Sequence, residues 1–101
     1  MIKHIVMWRL KDQARGNSKS ANAELVKDKL EALRGRIPGL LSVEVGLDFS
    51  ATEASADVVL YSELEDRAAL AAYQDHPDHE AVKAFIGEVT EARWVVDYAA
   101  G

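Results

Sequence analysis

The chain predicts an α+β domain with elements in the order β-α-β-β-α(α)-β, a four-stranded antiparallel sheet carrying its helices on one face. Three observations predict it. Period-two runs rich in β-branched and aromatic residues occur at both ends of the chain and twice in its middle. Two intervening stretches repeat their apolar residues near the helical period of 3.6. Pro38-Gly39 and His76-Pro77 punctuate the joints.

Ile2–Leu10 places Ile2, His4, Val6, Trp8 and Leu10 on one face and Lys3, Ile5, Met7 and Arg9 on the other. Both faces carry apolar groups, as a strand covered on both sides requires. Lys11–Ser20 is polar, contains Gly16-Asn17-Ser18 and reads as a loop, with Ser20 as cap of the next helix. Leu25, Val26, Leu30, Leu33 and Ile37 form that helix's buried stripe, and Gly35 and Pro38-Gly39 end it. Leu40–Phe49 is the second strand, with Val43, Val45 and Leu47 alternating against Ser42, Glu44 and Gly46. Ser50–Ala56 is a loop, and Val58–Leu64 is the third strand. Glu65–Gln74 is a short alanine-rich helix with Leu70 and Tyr73 on one side. His76-Pro77 opens another helix, because proline loses nothing at the first helical position, and Asp78 and Glu80 suit its positive end. Val82, Phe85, Ile86 and Val89 are the stripe of that helix, and His79 falls on the same side. Ala92–Tyr98 is the last strand, with Arg93, Val95 and Asp97 opposite Trp94, Val96 and Tyr98. This order is the ferredoxin-like split βαβ pattern.

A length of 101 residues allows one domain, 1–101, with a single core. The net charge of −5 argues against nucleic acid, whose phosphates need clustered Lys and Arg. The absence of cysteine excludes thiolate chemistry and Cys-based zinc sites. No apolar run reaches the ~20 residues of a membrane span, and the first residues lack the core of a signal peptide. The expected location is the cytoplasm, with no membrane partner.

Tyr73–His79 carries two of the three histidines. His79 and Tyr73 are the candidate catalytic residues. An imidazole can act as a general base near neutral pH, and a phenol can donate a hydrogen bond to a developing enolate. His4, Val6, Trp8, Val43, Arg93 and Val95 are the candidate ligand-binding residues, with Arg93 able to pair with an acid or an anionic ligand. Each has a structural alternative: His79, His4 and Tyr73 as satisfied core residues, His76 as a helix cap, and Asp57 as a solvated strand end or a group at a pocket mouth. His76, His79 and His4 could in principle ligate zinc, but a capping His76 points away from His79. No metal or cofactor is expected.

The opening MIKHIVMWRLK, RIPGLLSVEVG, DVVLYSELED, AAYQDHPDHEAV and the closing VVDY resemble the stress-responsive A/B barrel (Dabb) domain family over essentially the whole chain. The resemblance implies a ferredoxin-like, dimeric α+β barrel. It implies no single reaction, although a few plant members, such as olivetolic acid cyclase, are cofactor-free polyketide cyclases. The catalytic histidine of that pattern matches His79, its tyrosine Tyr73, and its first-strand histidine His4. A further histidine at the start of the third strand has no counterpart in Ala56-Asp57-Val58.

Three readings follow. The first is a small dimeric protein that binds a small molecule between sheet and helices. The second is a cofactor-free, cyclase-like enzyme for an aldol-type condensation of a small β-keto substrate, with His79 as base. The third is an interaction module whose pocket is filled by Trp8. The sheet face bearing Ile5, Met7, Trp94, Val96 and Tyr98 is too apolar to stay wet, so a homodimer through that face is expected.

Overall fold

The computed structural model describes residues 1–101. The chain forms β1 (Ile2–Leu10), β2 (Gln13–Ala14), β3 (Asn17–Ser18), α1 (Lys19–Glu31), β4 (Leu40–Leu47), β5 (Val58–Leu64), α2 (Arg67–Asp75), α3 (Pro77–Val89) and β6 (Thr90–Ala99). The four long strands make one sheet in the order β4-β5-β1-β6, and every neighbouring pair is antiparallel. This is the ferredoxin-like α+β fold. β1 is central and β6 is an edge.

Strand alternation decides which side chains form the core. Ile2, His4, Val6, Trp8 and Leu10 of β1 are all buried under the helices. Val43 and Val45 of β4 join them, as do Val58, Leu60, Ser62 and Leu64 of β5. The helices close over this face with Val26, Leu30, Leu33, Tyr73, Val82, Ile86 and Val89. Each fully buried leucine among them contributes about 1.5–3 kcal/mol. The opposite sheet face has no helix. There Ile5 is half-buried, while Met7, Trp94, Val96 and Tyr98 are exposed, Val96 at 55%.

Several elements differ from the sequence expectation. Lys11–Ser20 is not a plain loop: β2 and β3 pair as a small hairpin whose turn residues, Arg15 and Gly16, both have positive φ (53° and 77°). That is the twist a two-residue hairpin turn needs. The hairpin runs to Ser18, so Ser18 rather than Ser20 caps α1, accepting a hydrogen bond from the Ala21 N–H at 3.2 Å. Within α1 the buried stripe includes Asn22 and leaves Leu25 half-buried. Asn22 tolerates burial because its amide donates to the Ala14 carbonyl at 3.1 Å. β4 stops at Leu47, and the Asp48 carboxylate accepts from the Ala51 N–H at 2.8 Å to turn the chain. Asp57 is not a free strand end. It accepts from the Leu10 N–H at 2.8 Å and pairs with Lys19 at 3.4 Å, holding the end of β1.

Two joints behave as their sequence suggests. Gly39 has φ +83°, and a Cβ there would sit 2.6 Å from the Ala69 Cβ. Its carbonyl accepts from the Glu65 N–H at 2.9 Å. Glycine thus lets the turn before β4 lie directly on α2. At the second joint, His76 Nδ1 accepts from the Asp78 N–H at 3.1 Å and Pro77 takes the first helical position of α3. No helix is long and apolar enough to cross a membrane.

Candidate functional site

The break at His76-Pro77 turns α3 so that its first turn brings His79 back over the end of α2. His79 is 6% exposed, and its ring stacks on that of Tyr73 with centroids 4.0 Å apart and planes 19° from parallel. Its Nδ1 lies 3.0 Å from the Tyr73 main-chain carbonyl. A carbonyl can only accept, so Nδ1 carries the proton and Nε2 keeps its lone pair. Burial, reinforced by the nearby Lys83 ammonium, lowers the His79 pKa to about 4. The imidazole is therefore neutral at ordinary pH.

Tyr73 is fully buried beside it, and burial raises its phenol pKa to about 12. The Tyr73 ring meets His4 edge-on at 5.9 Å between centroids. His4 stands on β1 opposite Asp97 of β6, and its Nδ1 makes a short hydrogen bond to the Asp97 carboxylate. Because the carboxylate accepts, His4 donates from Nδ1, and its Nε2 is the ring nitrogen left out of that bond. His4 is buried, whereas Asp97 is partly exposed on its edge strand. The three aromatic rings thus run in a row, Tyr73 in the middle, joining sheet to helices.

Beside this row, between the sheet and α3, lies a cavity of about 360 Å³. His4, Val6, Trp8 and Leu60 line it from the sheet and His79, Lys83, Ile86 and Gly87 from α3, with Gln74, Thr90 and Arg93 completing the wall. Trp8 is one wall and does not fill the space. Of the eight residues singled out from the sequence, His79, His4, Val6, Trp8 and Arg93 meet at this cavity. Tyr73 does not line it; the residue sits behind His79. Val43 is buried in β4, across the sheet from the cavity, and packs in the core. Val95 shares the Arg93 face of β6 but is 46% exposed and off the cavity wall.

Asp97 and Lys83 are the residues that sequence reasoning missed. Lys83 stands one helical turn after His79, a spacing that puts it on the same side of α3. Asp97 alternates with Arg93 and Val95, but only the register of β6 on β1 sets it against His4. His76, used as a cap, does not face the cavity, and no group of three His, Asp or Glu side chains converges on a metal-sized site.

The stress responsive A/B barrel domain model matches residues 2–100. A dimeric ferredoxin-like protein of unknown function from Bacteroides fragilis is 32% identical, with a TM-score of 0.86 over 98% of this chain and 95% of that one. A second dimeric ferredoxin-like protein, from Thermobifida fusca, is 30% identical, with a TM-score of 0.84 over 98% and 90%. A hydroxynitrile lyase from Passiflora edulis has a TM-score of 0.82 over 99% and 93% but only 17% identity, which shows the shared fold alone. None of the curated proteins matches the sequence. With the family model spanning nearly every residue and the split βαβ sheet in place, the chain belongs to the stress responsive A/B barrel domain (Dabb) family.

Proposed function

We propose that the protein binds a small molecule in the cavity between the sheet and α3, as a homodimer joined through the open sheet face. The cavity itself carries this reading. Its size lies at the lower end of the roughly 300–1,000 Å³ of small-molecule sites. Val6, Trp8, Leu60 and Ile86 offer apolar walls, and a few polar groups stand among them. Such a composition gives burial for the body of a ligand and fixed points for its orientation. The dimeric state of the Bacteroides and Thermobifida relatives supports the homodimer.

Gly87 provides the test. It lines the cavity, and a Cβ built on it meets nothing within 4 Å. Gly87→Leu therefore adds bulk at the cavity wall with no clash at its Cβ. Small aromatic acids, β-keto esters and fatty acids are screened by thermal shift against both proteins. A compound that raises the melting temperature of the wild type and not of Gly87→Leu supports the site. Equal shifts in both, or no shift across the screen, sink it.

A second reading, a cofactor-free enzyme that removes a proton from a small β-keto substrate, draws on the two imidazoles, His4 and His79, that line one cavity. The sequence places the base at His79, but a pKa of about 4 makes His79 a weak one. His4 is better equipped, because the Asp97 carboxylate stabilises the imidazolium that forms on proton transfer. In this reading His4 is the base, His79 accepts a hydrogen bond from the substrate, and Tyr73 positions His79. Once a substrate turns over, Asp97→Asn should slow it by about 100-fold or more. Turnover unaffected by both Asp97→Asn and His4→Gln eliminates the assignment.

A further inference from the structure

The protein is acidic, with a net charge of −5, yet no carboxylate lines its cavity. The charged residues in the wall are Lys83 and Arg93, and both are cationic. Lys83 is already engaged. Its ammonium donates to the Glu80 carboxylate at 2.9 Å and to the Gln74 carbonyl at 3.2 Å. Arg93 is different: it forms no ion pair within the chain. The acid on its own strand face is Asp97, and Asp97 is held by His4. Arg93 pairs across the sheet with Trp8, so its guanidinium rises beside the indole wall of the cavity.

From this arrangement we propose that the ligand is a small carboxylate with an apolar body, its carboxylate bound by Arg93 and its body against Trp8, Val6, Leu60 and Ile86. A guanidinium presents two parallel N–H donors that match a carboxylate, an arrangement more selective than a point charge. The His79 imidazole is neutral and its proton is committed to the Tyr73 carbonyl, so it does not compete with Arg93 for the anion. The inference rests on the cavity being a ligand site and narrows it to one ligand class.

Benzoate, phenylacetate and hexanoate, each paired with its neutral primary amide, are titrated by calorimetry into the wild type, Arg93→Gln and Arg93→Lys. Arg93 is exposed on an edge strand, so both variants are expected to fold, as circular dichroism will verify. At least one carboxylate should bind the wild type about tenfold or more tightly than its amide, since hydrogen bonds to charged groups are stronger than those between neutral ones. Arg93→Gln should remove that preference, leaving amide binding unchanged, and Arg93→Lys should restore part of it. The preference should also weaken with added salt. Acid and amide binding equally, or a preference that survives Arg93→Gln, overturns the carboxylate assignment while leaving the ligand site intact. Failure of every acid and every amide to bind overturns both.

Discussion

Burial keeps the His79 imidazole neutral down to about pH 4, whereas the same group in the unfolded chain gains its proton near 6.5. Between those values the unfolded state binds more protons than the folded one, so stability must fall as pH drops from 6.5 toward 4. We expect urea midpoints to decline across that window, and less steeply in His79→Phe, which keeps a ring against Tyr73 but cannot titrate. An identical decline in both proteins would assign the acid sensitivity to other groups. Gly39 illustrates a backbone constraint at the same scale. Gly39→Ala adds a methyl group 2.6 Å from the Ala69 Cβ at a positive φ. It should lower unfolding free energy by about 1–3 kcal/mol, measured by urea titration. A loss below half a unit would mean that α2 yields easily.

α3 is the element that builds the site. His76 ends α2 and begins α3, and with Pro77 it sets the bend that returns His79 over Tyr73. Removing the cap in His76→Ala should cost about 0.5–2 kcal/mol, and His76→Asn should recover most of it, because asparagine caps well. Thermal unfolding of the two variants tests this; equal losses would show that the His76 ring contributes something other than a hydrogen-bond acceptor. His76 and His79 are three residues apart in one motif, yet one shapes the helix and the other faces the cavity.

For the molecule as a whole, the open sheet face is the outstanding feature. Met7, Trp94, Val96 and Tyr98 lie together on it, and the Arg9 guanidinium sits 5.9 Å over the Trp94 ring. A second copy packed on this face would remove these groups from water by a two-fold contact. Light scattering should therefore report a dimer at micromolar concentration, and Val96→Glu should yield a monomer. A wild-type monomer under those conditions would leave the face for another occupant. The cavity lies on the helix side, so it and the open apolar face stand on opposite sides of one sheet.

By itself, the sequence determined the strand faces, the joints at Pro38-Gly39 and His76-Pro77, the inward position of His79 and the apolar face of β1 and β6. These follow from local chemistry: alternation, helical period, glycine freedom and proline's missing N–H. It could not separate Val43 and Val95 from the cavity residues, because alternation names a face and says nothing of where along the sheet a helix lies. Nor could it place Asp97 against His4, since strand register is a contact between residues 93 apart in the chain. Only the tertiary structure decided that the Tyr73 main chain holds the His79 proton, and that Trp8 leaves the cavity open beside Arg93. Both depend on how α3 packs across the sheet.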